Sequence, residues 1–385
     1  MEHQTDDATI AGLAPVLESK VFCVRNNDVN TNHLYIGHTG LDPRAWKQLG
    51  CWLRTNTHVK YICLLACHLR GKSMVDLCTG LEDNKSISEF EISECSLKNA
   101  EIESLAPFIR KNPSLHTLNI EGCFGASLGA SGFDLNLLSS ALMSRTQSIE
   151  NVSLDGNFMG GEGTKDAFDT LITALNKNTE LTRLSLMCNR IGKEGCISLG
   201  RLLKDPNSKL KSLILRHNYI DDECAAILAE SLSNNTSLFN IDLDRNERVS
   251  AEGLMKFVHL ISRNGSICDT VESNHTISSI GYETALRRNF IQGNLLREFL
   301  EANKRTDKRS TARVKVFRCH IQYKLSLEDV LECDAVMHRV LAWIGHALSE
   351  SDKAERTFLT QAPPTAVRLG AIYHILRAMP ILCRI

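Results

Sequence analysis

Little in this chain points to a specialised environment. Proline is scarce, eight in 385 residues, which argues against long low-complexity or disordered stretches. Neither sign of charge is in excess: 44 Lys and Arg face 45 Asp and Glu, a formal net charge of −1. Nucleic-acid binders normally carry a basic surplus, so that class is not expected. No apolar run approaches the ~18 residues of a membrane span. The stretch from Met1 to Ile10 is polar and acidic, so no secretory leader is expected there and no membrane partner either. Cysteine breaks this pattern of scarcity. Fourteen of them in a long, Leu-rich chain read as reduced thiols in a cytoplasmic, or also nuclear, setting rather than a disulfide framework. Asn-x-Ser/Thr triplets at Asn151, Asn234 and Asn274 then carry no weight.

What the chain has is a period. The pattern LxxLxLxx(N/C)xL recurs as Leu181, Leu184, Leu186, Asn189, Ile191 and again as Leu210, Leu213, Leu215, Asn218, Ile220. Upstream copies carry Cys67, Cys95 and Cys123 where these carry asparagine. Opening positions fall at 31, 59, 87, 115, 149, 181, 210, 238 and, degenerately, at Ile267. Ten residues before the next opening stand Leu49, Leu77, Leu105, Leu171, Leu228 and Phe257; six before it stand Leu53, Leu81, Ile109, Met143, Leu175, Leu232 and Ile261. Two apolar columns four residues apart mark one helix face. Each unit is therefore expected to be a short strand, a turn and a returning helix. The ninth-position Asn or Cys should satisfy backbone groups at the turn, where an orphan costs ~1–3 kcal/mol.

A 28–29-residue unit of this kind resembles the ribonuclease-inhibitor class of leucine-rich repeats, the class that also supplies the repeats of NOD-like receptors and of the Ran GTPase-activating protein. It is similar, too, to members of that class abundant in algae. The resemblance implies an α/β leucine-rich-repeat solenoid, or horseshoe, with a parallel concave sheet and convex helices. It spans about residues 31–277 and leaves the partner open.

Three regions follow. Residues 1–30 are read as an N-terminal capping helix, over 8–19, and a link. Residues 31–280 hold about nine repeats, and 281–385 form a helical C-terminal region that caps the solenoid. A basic stretch, 304–318, runs from Lys304 and Arg305 through Lys308, Arg309, Arg313 and Lys315 to Arg318; it is expected to be solvated, or else a nuclear-localisation or anion-binding segment. Gly-rich insertions at 122–132 and 156–163 should protrude from one rim.

Chemistry is hard to place. Ala66 to Ser73, read ACHLRGKS, fits a loose phosphate-binding loop, but Leu64, Cys67 and Leu69 are already explained by the repeat. Cys63, Cys67 and His68 lack a fourth zinc ligand and should diverge. No catalytic set stands out, so an enzyme, a cofactor or a metal is not expected. The expected function is a non-enzymatic scaffold gripping another protein on the concave sheet. Tyr35, Tyr61, Glu89, Glu91, Glu94, Glu121, Asp155, Asp242 and Asp244 are the candidate partner-binding residues, and their charge suits a basic partner. A small-GTPase regulator with Arg190 or Arg216 in play, and the recognition subunit of a sensor or ubiquitin-ligase assembly, are the alternatives.

Overall fold

A computed structural model of the protein describes residues 21–38, 41–124, 134–145, 149–160, 164–263, 267–281, 290–317 and 319. Strand and helix alternate through it. The strands are β1 (His33–Gly37), β2 (Tyr61–Leu65), β3 (Glu89–Ser93), β4 (Thr117–Glu121), β5 (Asn151–Ser153), β6 (Arg183–Ser185), β7 (Ser212–Ile214), β8 (Asn240–Asp242) and β9 (Ser279–Gly281). Between them run α1 (Pro43–Thr55), α2 (Gly71–Glu82), α3 (Asn99–Lys111), α4 (Leu135–Met143), α5 (Lys165–Asn176), α6 (Lys193–Lys204), α7 (Asp222–Ser231) and α8 (Ala251–Ser262); α9 (Ile267–Val271), α10 (Phe290–Asn303) and α11 (Lys308–Phe317) belong to the C-terminal end.

All nine strands form one open sheet in sequence order, each parallel to the next. The register follows the repeat: His33, Tyr61, Glu89, Thr117, Asn151, Arg183, Ser212, Asn240 and Ser279 stand side by side. Alternate strand residues face opposite sides, so Leu34, Ile62, Phe90, Leu118, Val152, Leu184, Leu213 and Ile241 turn toward the helices and are buried. Each such side chain contributes roughly 1.5–3 kcal/mol. The helix columns at Leu49 to Phe257 and Leu53 to Ile261 close the core from the other side. Met143 is an exception, 39% exposed. Helix α4 sits one residue out of phase, so Leu138 and Leu142 take the buried face instead.

The turns explain the polar columns. Asn218 Oδ1 accepts the amides of Asn189 and Ile191, both at 2.9 Å, and its Nδ2 donates to the carbonyls of Leu186 and Leu215. Asn157, Asn189 and Asn246 repeat the arrangement. Immediately before this column every turn adopts the left-handed conformation: His38, Ala66, Glu94, Gly122, Gly156, Cys188, His217 and Arg245 all have φ between 48° and 68°. Six of these eight are not glycine, although the conformation costs an L-residue ~1–2 kcal/mol. Successive turns hold it in place, since the amide of His217 reaches the Asp244 carbonyl at 2.9 Å and that of Cys188 the Arg216 carbonyl at 3.1 Å.

A second asparagine column lies three residues before the opening positions. Asn56, Asn84 and Asn112 are buried, and each holds the carbonyl of the preceding unit's counterpart or neighbour, as in Asn84 Nδ2 to Asn56 O at 2.8 Å and Asn112 Nδ2 to Asn84 O at 2.8 Å. Asn235, Asn274 and Asn303 continue it. Arg145 substitutes beyond the slipped helix, donating to Leu115 O at 2.7 Å and to Ile109 O.

The ends differ from expectation in three places. Helical residues 21–25 cover the first repeat with Val21 and Val24, both buried; the helix expected over 8–19 lies outside the described residues. The ninth unit opens at Ile277, not Ile267, because β9 pairs with β8 in the register Asn240 to Ser279. Helix columns of the eighth unit keep their phase, and the extra residues form α9 before the next strand. Leu296 and Leu300 then fall where Phe257 and Ile261 stand one unit earlier, so α10 is the ninth repeat's own helix and the array reaches Asn303, beyond 280.

Helix α11 shuts that end. Lys315 is fully buried, and its Nζ reaches Asn274 O at 2.8 Å and His275 Nδ1 at 3.0 Å. Lys308 Nζ reaches His275 O at 2.8 Å and Asn303 O at 2.9 Å. Two of the three lysines of the basic stretch therefore turn inward rather than lying in solvent: Lys308 takes the Asn303 carbonyl that a further repeat's asparagine would have bonded, and Lys315 joins Asn303 Nδ2 on the Asn274 carbonyl. His275 Nε2 bonds Val271 O, so Nδ1 is free to accept from Lys315; burial and Lys315 push its pKa down to about 4.

Candidate functional site

The concave sheet is built from third, fifth and seventh positions, which point away from the helices. Adjacent strands lie ~4.8 Å apart, so Glu89, Glu91, Glu121 and Asp155 share a compact area over β3, β4 and the end of β5. Glu89 and Glu94 are exposed; Glu91, Glu121 and Asp155 are half-buried. Burial raises Glu121, with Asp155 and Glu91 adding like charge, and burial raises Asp155 as well.

The members play unequal parts. Glu91 accepts from Tyr61 Oη at 2.7 Å and Ser93 Oγ at 3.2 Å, with Cys63 Sγ at 3.5 Å. Tyr61 also meets His33 edge-on, ring centroids 5.6 Å apart. Asp155 accepts from Ser185 Oγ at 2.7 Å and the Met187 amide at 2.6 Å. These two acids are thus partly structural, while Tyr35, 43% exposed, and the outward Glu89 and Glu94 are free to be touched. Asp242 and Asp244 stand apart: four strand spacings, roughly 19 Å, separate β8 from β4. Asp244 pairs with Arg216 at 3.0 Å, and Asp242 accepts the Asp244 amide.

The other half of this face is rich in arginine, of which the sequence singled out only Arg190 and Arg216, as candidates for a GTPase-regulator role. Arg183 is exposed on β6, and Arg216 and Arg245 lie close enough to Cys188 to lower its pKa against the burial that raises it. On the rim Arg190 stacks on Phe158, 4.3 Å from its centroid, and Arg248 on Tyr219 at 5.6 Å. Tenth positions lack the apolar regularity that made the core legible, and Arg248 breaks the apolar eleventh column, so only their spacing could have revealed this row. Of the expected rim insertions, 125–133 and 161–163 lie outside the described residues.

The phosphate-loop match has a structural occupant. The Gly71 amide, which would face a phosphate, donates to Glu101 Oε1 at 3.2 Å, and Glu101 is buried in the next repeat. Its other oxygen accepts the Lys98 amide at 3.0 Å. Among the described residues no group of three or more His, Cys, Asp or Glu could hold a metal ion, and no helix is long and apolar enough to cross a membrane. The described cysteine side chains are free thiols, most of them buried.

Known proteins can now be set beside this geometry. The Leucine Rich repeat family matches residues 177–200 and 207–226. Over 213 residues the chain is 28% identical to "NACHT, LRR and PYD domains-containing protein 5" of Mus musculus, covering 55% of this chain and 17% of that protein. It is 27% identical over 270 residues to the ribonuclease inhibitor of Sus scrofa, covering 62% of this chain and 55% of that protein. The chain therefore spans only part of the relatives it matches. A solved structure of the yeast Rad7 and Elc1 complex covers 69% of this chain and 65% of its own at 13% identity and a TM-score of 0.39, a likeness too distant to weigh. A repeat of this length, stacked without a break in one parallel sheet and matched by these relatives, makes the chain a ribonuclease-inhibitor-like leucine-rich-repeat protein.

Proposed function

We propose that the protein is a non-enzymatic scaffold of the cytoplasm that binds a basic partner protein on the acidic half of its concave sheet. One observation carries this reading. Glu89 and Glu94 are exposed with no ion pair among the described residues, beside two carboxyls, Glu121 and Asp155, already raised by burial. Like charges held this close repel one another, and an approaching cationic surface relieves that repulsion and is steered by it.

The test is charge reversal at the two outward acids. Glu89→Lys with Glu94→Lys should strip the salt-sensitive, basic proteins from a pull-down read by mass spectrometry at two salt concentrations. Melting should stay within ~0.5 kcal/mol of the parent, since both side chains are on the surface. An unchanged set of captured proteins defeats the reading. The GTPase-regulator and sensor or ubiquitin-ligase alternatives gain no residue from the geometry: Arg216 is held by Asp244 and Arg190 lies on Phe158.

A further inference from the structure

Four consecutive turns, those of the fifth to eighth repeats, carry a row with its own order. Phe158, Arg190 and Tyr219 occupy the tenth position of successive units, and Arg248 follows one residue later in the next. Ring and guanidinium alternate: Arg190 over Phe158 at 4.3 Å, Arg248 over Tyr219 at 5.6 Å. The Tyr219 amide bonds Ile191 O at 2.9 Å, so the middle pair are neighbours along the rim as well. Phe158 and Arg190 hold this arrangement in the left-handed region, with φ of 57° and 58°. A bulky aromatic residue is a rare occupant there, and such strain concentrates where a surface is used.

Nothing in the core requires the row. Tyr219 is 51% exposed. A guanidinium stacked on a ring still offers its N–H groups in plane, shaped for the two oxygens of a carboxylate. Arg190, Arg245 and Arg248 have no ion pair among the described residues. Most neighbouring carboxylates are engaged: Asp244 by Arg216, Asp155 by Ser185 and the Met187 amide, Asp221 by the Cys224 amide at the start of α7. Glu247 is exposed between them. Aromatic and arginine side chains in such a setting are also the types that dominate binding energy at protein interfaces.

We propose that this rim is a second docking surface, which takes an acidic segment of a partner protein: carboxylates on the outer edges of Arg190 and Arg248, apolar side chains against Phe158 and Tyr219. It goes beyond the acidic half of the sheet and does not depend on it, so either surface can fail alone. The two together would give the face opposite charge preferences at its two ends.

Fluorescence anisotropy on the full chain tests it with three labelled probes. One is a Glu- and Leu-rich peptide long enough to cross four repeats, the second its Gln-for-Glu counterpart, the third a single-stranded oligonucleotide, since bases also stack on such a row. The acidic peptide alone should saturate. Arg190→Ala combined with Arg248→Ala should weaken it by roughly tenfold or more. Arg190→Lys should recover only part, because an ammonium keeps the charge and loses the planar fork. Glu247→Gln should tighten binding, and the Glu89→Lys, Glu94→Lys pair should leave it unchanged. Melting curves confirm that each variant is folded. Failure of the acidic peptide to saturate, indifference to the double arginine loss, or preference for the oligonucleotide would each overturn the proposal.

Discussion

The first half of the solenoid turns its corners on sulfur and the second half on amide. Cys67, Cys95 and Cys123 each send a thiol to a carbonyl one unit back, at 3.2–3.5 Å, and Cys95 Sγ receives one amide, that of Cys67, at 3.3 Å. Asn189 and Asn218 each take two amides and bind at least two carbonyls. The strands differ in step: β1 to β4 run for five residues, β5 to β9 for three. A weak donor leaves the backbone to keep its own ladder through the seventh position; a strong one takes over the closing bonds, and strand pairing can stop earlier. One position in the repeat thus accepts two chemistries, provided the neighbouring backbone makes up the difference.

The largest expected effect tests the amide half. Asn189→Ala orphans the amides of Asn157 and Met159 in a buried turn and removes one of the two side-chain donors, Asn189 and Asn157, on the Leu154 carbonyl. A loss of about 3–5 kcal/mol is expected from denaturant titration; a loss under 1 kcal/mol would mean the amide column is ornament. Acid probes the same half at its C-terminal end. His275 has an ordinary value of 6.5 and is held at about 4 by burial and Lys315, with Lys308 also facing it. Between those values the unfolded chain binds the proton and the folded one does not, so stability falls as pH drops through the window. The His275 contribution is up to about 3 kcal/mol, and a His275→Gln variant should lose that part of the slope. Carboxyls raised by burial, Glu121 and Asp155, push the other way as they protonate, so the difference between variant and parent is the quantity to measure. The smallest effect belongs to the thiol half. Cys95→Ala should cost about 1–2 kcal/mol, for a small cavity and weak hydrogen bonds, and a cost matching that of Asn189→Ala would erase the distinction between the halves.

Much of this fold was written in leucine. The eight openings from 31 to 238 land on the observed strands because apolar residues have few alternatives to the core. Where several residue types satisfy one geometry, reading failed. The left-handed eighth position holds His, Ala, Glu, Gly, Cys and Arg, and no propensity rule unites them. Ile267 passed for an opening because the inserted residues after α8 bring another apolar group near the expected phase. Asn274, set aside as one of several sugar-acceptor triplets, is a tread of the second asparagine column. On the concave face the outward positions followed from strand alternation, so the placing of Glu89, Glu91 and Glu121 was legible; their hydrogen bonds to Tyr61, Ser93 and other neighbours, which decide which acids remain available, were not.

Lys308 and Lys315 have a consequence for building with this molecule. A repeat array is open-ended by nature, since each unit offers its successor the same unfinished edge. Here the Lys308 amino group occupies the Asn303 carbonyl that the next amide would need, Lys315 braces the Asn274 and His275 beneath it, and both come from a helix that belongs to no repeat. The short piece from Lys304 to Phe317 is therefore expected to end an engineered array of these units at any length if Lys308 and Lys315 are carried along with the Asn274, His275 and Asn303 they grip.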